Sequence, residues 1–459
     1  MDKLAGHPIT INQKSDRKTD YITFSVILFI CLIILVIIGL HYKELYQEDS
    51  YAHYLLAKYA WKHHRLFIDI WARPIPTIIL SLTAPFGIIP VKILTIIISL
   101  LCGFLTYKTA KTIKLKYAEF VIPFLIFQPY FLLLSVNPLT EIFFATMLVV
   151  SLLLFLRKNY LASTIICSLL PLVRPEGFFF LFLWLIILII IKKWRLLPYL
   201  GLGTIIWYIL GLIQSSDTLW FYYNFPWLGK PGFYGSGGIL NYVNLFPKIT
   251  GSLLPFFLIG FIYLIIRKQF LLIVIFIYFF VLHILLWKYG LFKSSGYARY
   301  FVCMAPIIAI VGLYGYNFLA SLFKIKKSLI ILSVFSIVFA LLSVSSIYKI
   351  QPSKLNSDHL IINDAYRYYK NLNSDAPVSC AYPYFFYIAG FDRFDFNHYP
   401  YPSLDSIEKH DSSIIIWDSN YMAKQYNISF DTLSKLNYKK LANFKSEDAY
   451  YDIVIFKSP

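Results

Sequence analysis

The sequence predicts an α-helical polytopic membrane protein. It expects about eleven transmembrane helices, interfacial helices in the first outer loop, and a small C-terminal α/β extracytoplasmic domain. Three observations carry this. Apolar runs of about twenty residues recur along most of the chain, as bilayer spans require. Of 459 residues, 58% are hydrophobic and only 14% charged, where a soluble chain carries about 25% charged. Past residue 348 the composition turns abruptly to Asp, Asn, Ser and Lys. A soluble domain of this length has no interior large enough to hide so many long apolar runs.

In chain order, spans are expected at 21–41, 91–110, 117–135, 138–156, 159–173, 175–192, 196–213, 249–266, 269–287, 298–319 and 328–348. The first is too long for a signal-peptide core and reads as an anchor. Between the first two, Pro74, Pro76, Pro85, Gly87 and Pro90 predict a broken, partly embedded segment. No internal repeat of the transporter type is evident.

The formal charge of +18 is no nucleic-acid signature, because the basic residues sit in short clusters between apolar runs. Lys3, Lys14, Arg17 and Lys18 precede the first span. Alternate connections then carry Lys108/Lys111/Lys114/Lys116, Arg157/Lys158, Lys192/Lys193/Arg195, Arg267/Lys268 and Lys324/Lys326/Lys327, with no acid among them. Positive charge marks the cytoplasmic face. The N-terminus is therefore expected inside, in a cytoplasmic (plasma) membrane. The segments 42–90, 136–140, 173–176, 214–248, 288–297 and the tail are expected outside. Two domains follow, 1–348 in the membrane and 349–459 soluble. Within the tail, 364–372 and 431–436 read as helices, and 378–381, 413–417 and 452–456 as strands. Four of five cysteines lie in apolar runs and Cys380 stands alone, so neither a disulfide framework nor a zinc site is indicated.

Chemically capable residues gather on the expected outer face. Glu48-Asp49-Ser50-Tyr51 opens a helix-like stretch with Tyr51, Tyr54, Leu55 and Tyr59 on one side, which suits an interfacial helix. Asp49 suits an N-cap. Capping accounts for one acid, and the other is open to function. Glu141, in Asn137-Pro138-Leu139-Thr140-Glu141, either lines a polar cavity or stabilises a first helical turn. Arg174 either pairs with Glu176 across Arg174-Pro175-Glu176-Gly177 or meets a phosphate. Arg299, after Lys293, either snorkels or holds a lipid phosphate. The loop 214–248 carries Asp217, Trp220, Tyr222, Tyr223, Trp227 and Tyr234, ordinary membrane-belt aromatics that also stack on sugar rings. Its glycines lack the spacing of a P-loop. His53, His63 and His64 lack metal-ligand spacing and read as interfacial.

These residues resemble, in order and sidedness, the polytopic GT-C glycosyltransferases that use lipid-phosphate sugars, such as mannosyl- and arabinosyltransferases. The likeness rests on Glu48-Asp49 with its following Tyr and Ala, Thr140-Glu141, Arg174-Pro175-Glu176-Gly177, and Arg299-Tyr300 followed by Pro306. It covers most of 20–348 in layout. The acidic pair is Glu-Asp where many members have Asp-Asp or Asp-Glu, so the resemblance leaves open which carboxylate is catalytic. It implies sugar transfer from a polyprenyl-phosphate donor to a glycan, lipid or protein acceptor, in cell-envelope glycan biosynthesis. Asp49 would be the base, with Glu48 orienting or substituting for it. Arg299, Arg174 and Lys293 would meet the phosphate, and Glu141, Tyr51 and Tyr234 the sugar or acceptor. A divalent cation (Mg or Mn) serves some members and not others. No nucleotide or nucleic-acid site is implied. Two other classes fit the pattern: a transporter or flippase of lipid-linked glycans, which needs charges near mid-membrane, and a non-catalytic assembly protein, which leaves Glu48, Asp49 and Glu141 without a role.

Overall fold

The computed structural model describes residues 17–226, 235–351, 356–410, 413–436, 438–446 and 451–458. Its helices run α1 (Arg17–His41), α2 (Gln47–Tyr59), α3 (Pro74–Ser81), α4 (Ile88–Thr112), α5 (Val121–Ile126), α6 (Pro129–Leu134), α7 (Thr140–Leu156), α8 (Tyr160–Ser168) and α9 (Glu176–Ile190). They continue with α10 (Leu202–Ser215), α11 (Asn241–Thr250), α12 (Leu254–Ile266), α13 (Phe270–Lys288), α14 (Ala305–Leu322) and α15 (Ser328–Ile350). The tail adds α16 (Ser357–Asn371), α17 (Pro383–Ala389) and α18 (Phe430–Lys435) around a small sheet.

This is a multi-pass membrane protein. Large apolar side chains face outward along the long helices, among them Ile37, Ile213, Ile266 and Leu341. Such a surface is stable only against lipid. Among the described residues, seven helical stretches are long and apolar enough to cross a bilayer: Tyr21–His41, Ile88–Thr112, Trp194–Ser215, Asn241–Ile266, Phe270–Lys288, Ala298–Leu322 and Ser328–Ile350. The expectation of about eleven spans therefore meets seven of full length. Three of the others are the shorter apolar helices Thr140–Leu156, Tyr160–Leu172 and Glu176–Ile190. The fourth, expected at 117–135, is broken. Pro129 cannot continue α5, and Gln128 repairs the break by donating to the carbonyls of Phe124 and Ala305 at 3.0 and 2.9 Å. Buried on all sides, that segment meets protein rather than lipid. The broken segment expected at 74–90 is present as α3, a turn at Ala84–Phe86, and the start of α4.

The five basic connections share one backbone device. Lys114, Lys158, Lys192, Lys268 and Lys324 each adopt a left-handed φ, between 49 and 63°. The next residue's N–H returns to a carbonyl five residues back, as from Leu115 to Ala110 and from Ile325 to Ala320. This is the Schellman helix ending, where glycine is usual. A left-handed lysine costs about 1–2 kcal/mol. Unlike glycine, lysine at this position adds a positive charge to the connection.

Close helix packing sets where Arg299 enters. A Cβ on Gly260 of α12 would lie 1.9 Å from the Val311 carbonyl of α14, and one on Gly315 equally close to that of Phe256. Glycine lets these two backbones touch. The 3₁₀ turn Ala298–Met304 leads directly into α14.

The tail sheet has the order β1 (Val378–Cys380), β2 (Ile414–Asp418), β4 (Asp452–Lys457), β3 (Lys439–Lys445), parallel between β1 and β2 and antiparallel elsewhere. The expected strands and helices are all found, α16 extending further toward the N-terminus. β3 is the addition. Its lysines make it read as a polar run, yet lysine suits an exposed sheet edge. One continuous core joins the tail to the bundle, running from Tyr51 and Tyr54 to Ile361, Tyr384 and Phe385. Thus α2 does not lie on an open bilayer surface as expected. It is covered by tail aromatics along its length, and of Glu48 to Ala57 only Asp49 is not buried.

Candidate active site

The site grows from the first turn of α2. Gln47 has a φ of 58° and Tyr46 offers no side-chain cap, so this turn is held from outside. The Tyr46 N–H donates to Asn137 Oδ1 at 2.7 Å, and Asn137 Nδ2 donates to the Leu133 carbonyl at 2.8 Å. The loop before α7 thereby fixes where α2 begins.

The two adjacent acids then point apart, since successive residues on a helix do not share a face. Asp49 turns into a cavity of about 430 Å³ and pairs with the Arg299 guanidinium. Glu48 turns to the tail. Its carboxylate accepts from the Tyr384 N–H at 3.0 Å and lies 2.6 Å from His359 Nε2. Burial pushes the Glu48 carboxyl up from its ordinary pKa, against the opposing pull of His359.

Opposite signs alternate across the cavity floor. Arg299 Nη1 lies 3.8 Å from Glu141. Arg174 Nη1 lies 2.9 Å from the same Glu141 oxygen and donates to Thr140 Oγ1 at 2.9 Å. Arg174 also grips Glu176 through two nitrogens, at 3.1 and 2.8 Å. His283 closes the row 3.6 Å from Glu176. Glu141 is 1% exposed and Arg299 4%, and buried charges of this kind persist only when compensated. Neither Glu141 oxygen makes an aligned hydrogen bond among the described residues. Its contacts are charge contacts with Arg174 and Arg299.

The motif Arg174-Pro175-Glu176-Gly177 has a packing reason. A Cβ on Gly177 would fall 2.2 Å from the Leu170 backbone, so only glycine lets α9 seat against the turn Leu170–Leu172. Gly177→Ala is expected to displace Glu176 and lower activity by about 100-fold, the cost of roughly an ångström of misplacement. Activity within threefold of wild type would count against this placement.

Other cavity walls come from Trp71, Lys293, Tyr297, Tyr300 and, on the tail, Asn356, Asp358, Asn420 and Gln425. His53, one turn beyond Asp49, stacks on Trp71 with ring centroids 4.7 Å apart and planes 18° apart. Burial pulls His53 down to about 4, so this imidazole is neutral near pH 7. Among the described residues no group of three His, Cys, Asp or Glu side chains could hold a metal ion. Asp49, Glu141 and Glu176 each face an arginine instead, which does not fit a divalent-cation site.

No protein-family model matches this sequence, and no curated protein matches it. Solved structures do. The apo crystal structure of ArnT from Cupriavidus metallidurans superposes with a TM-score of 0.67 over 96% of this chain and 98% of that one, at 12% identity. The chain has the ArnT fold. A second ArnT structure, bound to undecaprenyl phosphate, gives 0.65 over 94% and 97%, at 11% identity. At these identities the shared property is the architecture.

Of the residues expected at the site, Asp49, Glu48, Glu141, Arg174, Lys293 and Arg299 all line the one cavity. Tyr51 does not. It is fully buried, donates its hydroxyl to Glu44, and packs on His359, Tyr384 and Tyr387. Tyr234 lies outside the described residues, as does Trp227. Sequence reasoning missed Trp71, Arg73, His283 and the whole tail contribution. Arg73 left a faint signal, an arginine just ahead of Pro74 in an apolar stretch. His283 is a lone histidine mid-helix, and His359 sits in a polar tail where nothing distinguishes it.

Proposed function

We propose that the chain is an integral membrane glycosyltransferase of GT-C type, moving a sugar from a polyprenyl-phosphate donor to an extracytoplasmic acceptor. The observation that carries this reading is the convergence of Asp49, Glu141, Arg299 and Lys293 on one cavity. The shared fold supports it, since one ArnT structure of this architecture is bound to undecaprenyl phosphate, a polyprenyl phosphate. The alternation of basic connections supports an N-terminus in the cytoplasm and a cavity, with its tail-domain wall, on the opposite face.

In the reaction, the acceptor hydroxyl oxygen bonds to the anomeric carbon of the sugar. The bond from that carbon to the phosphate oxygen breaks, and its electron pair leaves on polyprenyl phosphate. Asp49 takes the hydroxyl proton, a contribution of about 10²–10⁴-fold. Arg299 and Lys293 stabilise the departing phosphate. Arg174, held by Glu141, Glu176 and Thr140, fixes Glu141, whose lone pairs accept substrate hydroxyls. Trp71, backed by His53, offers a flat apolar face to a sugar ring. Because Arg299 already pairs with Asp49, the phosphate competes with the base for one guanidinium. Donor binding then frees Asp49 as it engages Arg299.

A transporter needs charges near mid-membrane, whereas these gather beside the tail domain. The test is binding and product together. Arg299→Ala in nanodiscs is expected to weaken undecaprenyl phosphate binding by about 10–100-fold, the worth of one charge-assisted hydrogen bond. Lys293→Ala should weaken it less. Mass spectrometry of surface glycans from a deletion strain should show one sugar missing. Unchanged binding in Arg299→Ala, with unchanged glycans, would return the chain to the transporter or assembly classes.

A further inference from the structure

Glu48 is satisfied entirely by the tail. One oxygen meets His359 Nε2 at 2.6 Å and the other accepts the Tyr384 N–H at 3.0 Å. His359 is itself braced. It stacks on Tyr384 with centroids 4.0 Å apart and planes 18° apart, and Tyr51 meets it edge-on. Asp358 accepts the backbone N–H of His359 at 3.0 Å and the Tyr382 hydroxyl at 2.5 Å. The turn that Glu48 anchors is the one that carries Asp49, and that turn has no side-chain cap of its own. Tail and bundle thus pull on neighbouring residues from two directions, His359 on Glu48 and Arg299 on Asp49.

We propose that His359 of the tail domain is a positioning residue for Asp49: by gripping Glu48 it fixes the turn from which Asp49 projects, and so makes the tail part of the catalytic centre. This rests on the reading of Asp49 as the base. It also accounts for two adjacent acids, one that docks the tail and one that reaches the substrate.

The groups facing His359 are Glu48, Glu44, Asp358, Tyr51, Tyr382 and Tyr384. Burial alone pulls the imidazole down. The hydrogen bond and charge of Glu48, then the charges of Asp358 and Glu44, outweigh it and hold the ring above its ordinary 6.5. A raised folded-state pKa means that the contact stabilises fully below 6.5 and loses strength as pH rises through the raised value.

The experiment uses full-length variants expressed in a deletion strain, with surface glycans read by mass spectrometry and undecaprenyl phosphate binding measured in nanodiscs. His359→Leu should cut product by about 100-fold while phosphate affinity stays within threefold. His359→Gln, and Glu48→Gln/His359→Gln, keep a hydrogen bond across the contact and should recover at least a third of the product. Full product from His359→Leu overturns the proposal. So does parallel loss of product, phosphate binding and thermal stability without rescue by glutamine, which marks a merely structural contact. Asp49→Asn runs alongside. If it makes product, the base assignment has failed. If it makes none while His359→Leu makes full product, only the positioning role has failed.

Discussion

Asp49→Asn is expected to abolish sugar transfer and, at the same time, to tighten binding of polyprenyl phosphate. The two effects have one cause. The Asp49 carboxylate is the proposed proton acceptor, and its loss costs the general-base contribution of about 10²–10⁴-fold. It is also the counter-ion of Arg299, which is 4% exposed and poorly screened by water. An incoming phosphate must displace that carboxylate. With an amide in its place the guanidinium is free of its competitor, and phosphate affinity should rise by about tenfold, or 1.4 kcal/mol. Titration of nanodisc-held wild type and variant with undecaprenyl phosphate, beside product measurement in cells, checks both halves. Weaker phosphate binding in Asp49→Asn would mean that the carboxylate supports the phosphate site rather than competing with it.

Glu141→Ala should be the most destabilising single change at the site. Glu141 lies between Arg174 and Arg299, at 2.9 and 3.8 Å, and is 1% exposed. Removing one partner from a buried ion pair costs about 3–5 kcal/mol, because the charge left behind remains out of water. Here Arg174 keeps Glu176 and Arg299 keeps Asp49, so the lower end of that range applies. Unfolding in detergent, followed by tryptophan fluorescence, measures the loss. Glu141→Gln, which preserves shape and two polar atoms, should lose less. Equal stability of wild type and Glu141→Ala would mean that water reaches both arginines and that the floor of the cavity is not dry.

Much of the architecture can be read from the residues because lipid is an unforgiving solvent. A span needs about twenty apolar residues in a row, and seven such stretches stand where hydropathy places them. The broken run at 74–90 is equally legible, since its prolines forbid a continuous helix. The run at 117–135 misleads for a related reason. Full burial in protein and exposure to lipid demand the same apolar composition, so Gln128-Pro129 looks like a defect in a span until its hydrogen bond to Ala305 is seen. In the tail, β1, β2 and β4 announce themselves through β-branched and aromatic residues, whereas edge strand β3 is disguised by its lysines.

The site divides along similar lines. Charged residues are conspicuous in an apolar chain, which is why Asp49, Glu141, Arg174 and Arg299 stand out despite separations of up to 250 positions. Trp71, His53 and His359 do not stand out, because aromatics and histidines are ordinary at interfaces and in polar tails. Tyr51 stands beside the acidic pair in sequence, yet helical geometry turns it to the tail core.

By itself, then, the chain's sequence determined which residues must avoid water, how the basic clusters alternate, and which charged side chains are too costly to bury without a purpose. Those are properties of single residues and their spacing along one strand of polymer. Only the tertiary structure decided that Glu48 and Asp49 serve opposite sides, that Arg174 is clasped by two acids, and that the tail closes one wall of the cavity. Pairing energies depend on distances between remote segments, and a distance between residues hundreds of positions apart is set by packing rather than by any local pattern.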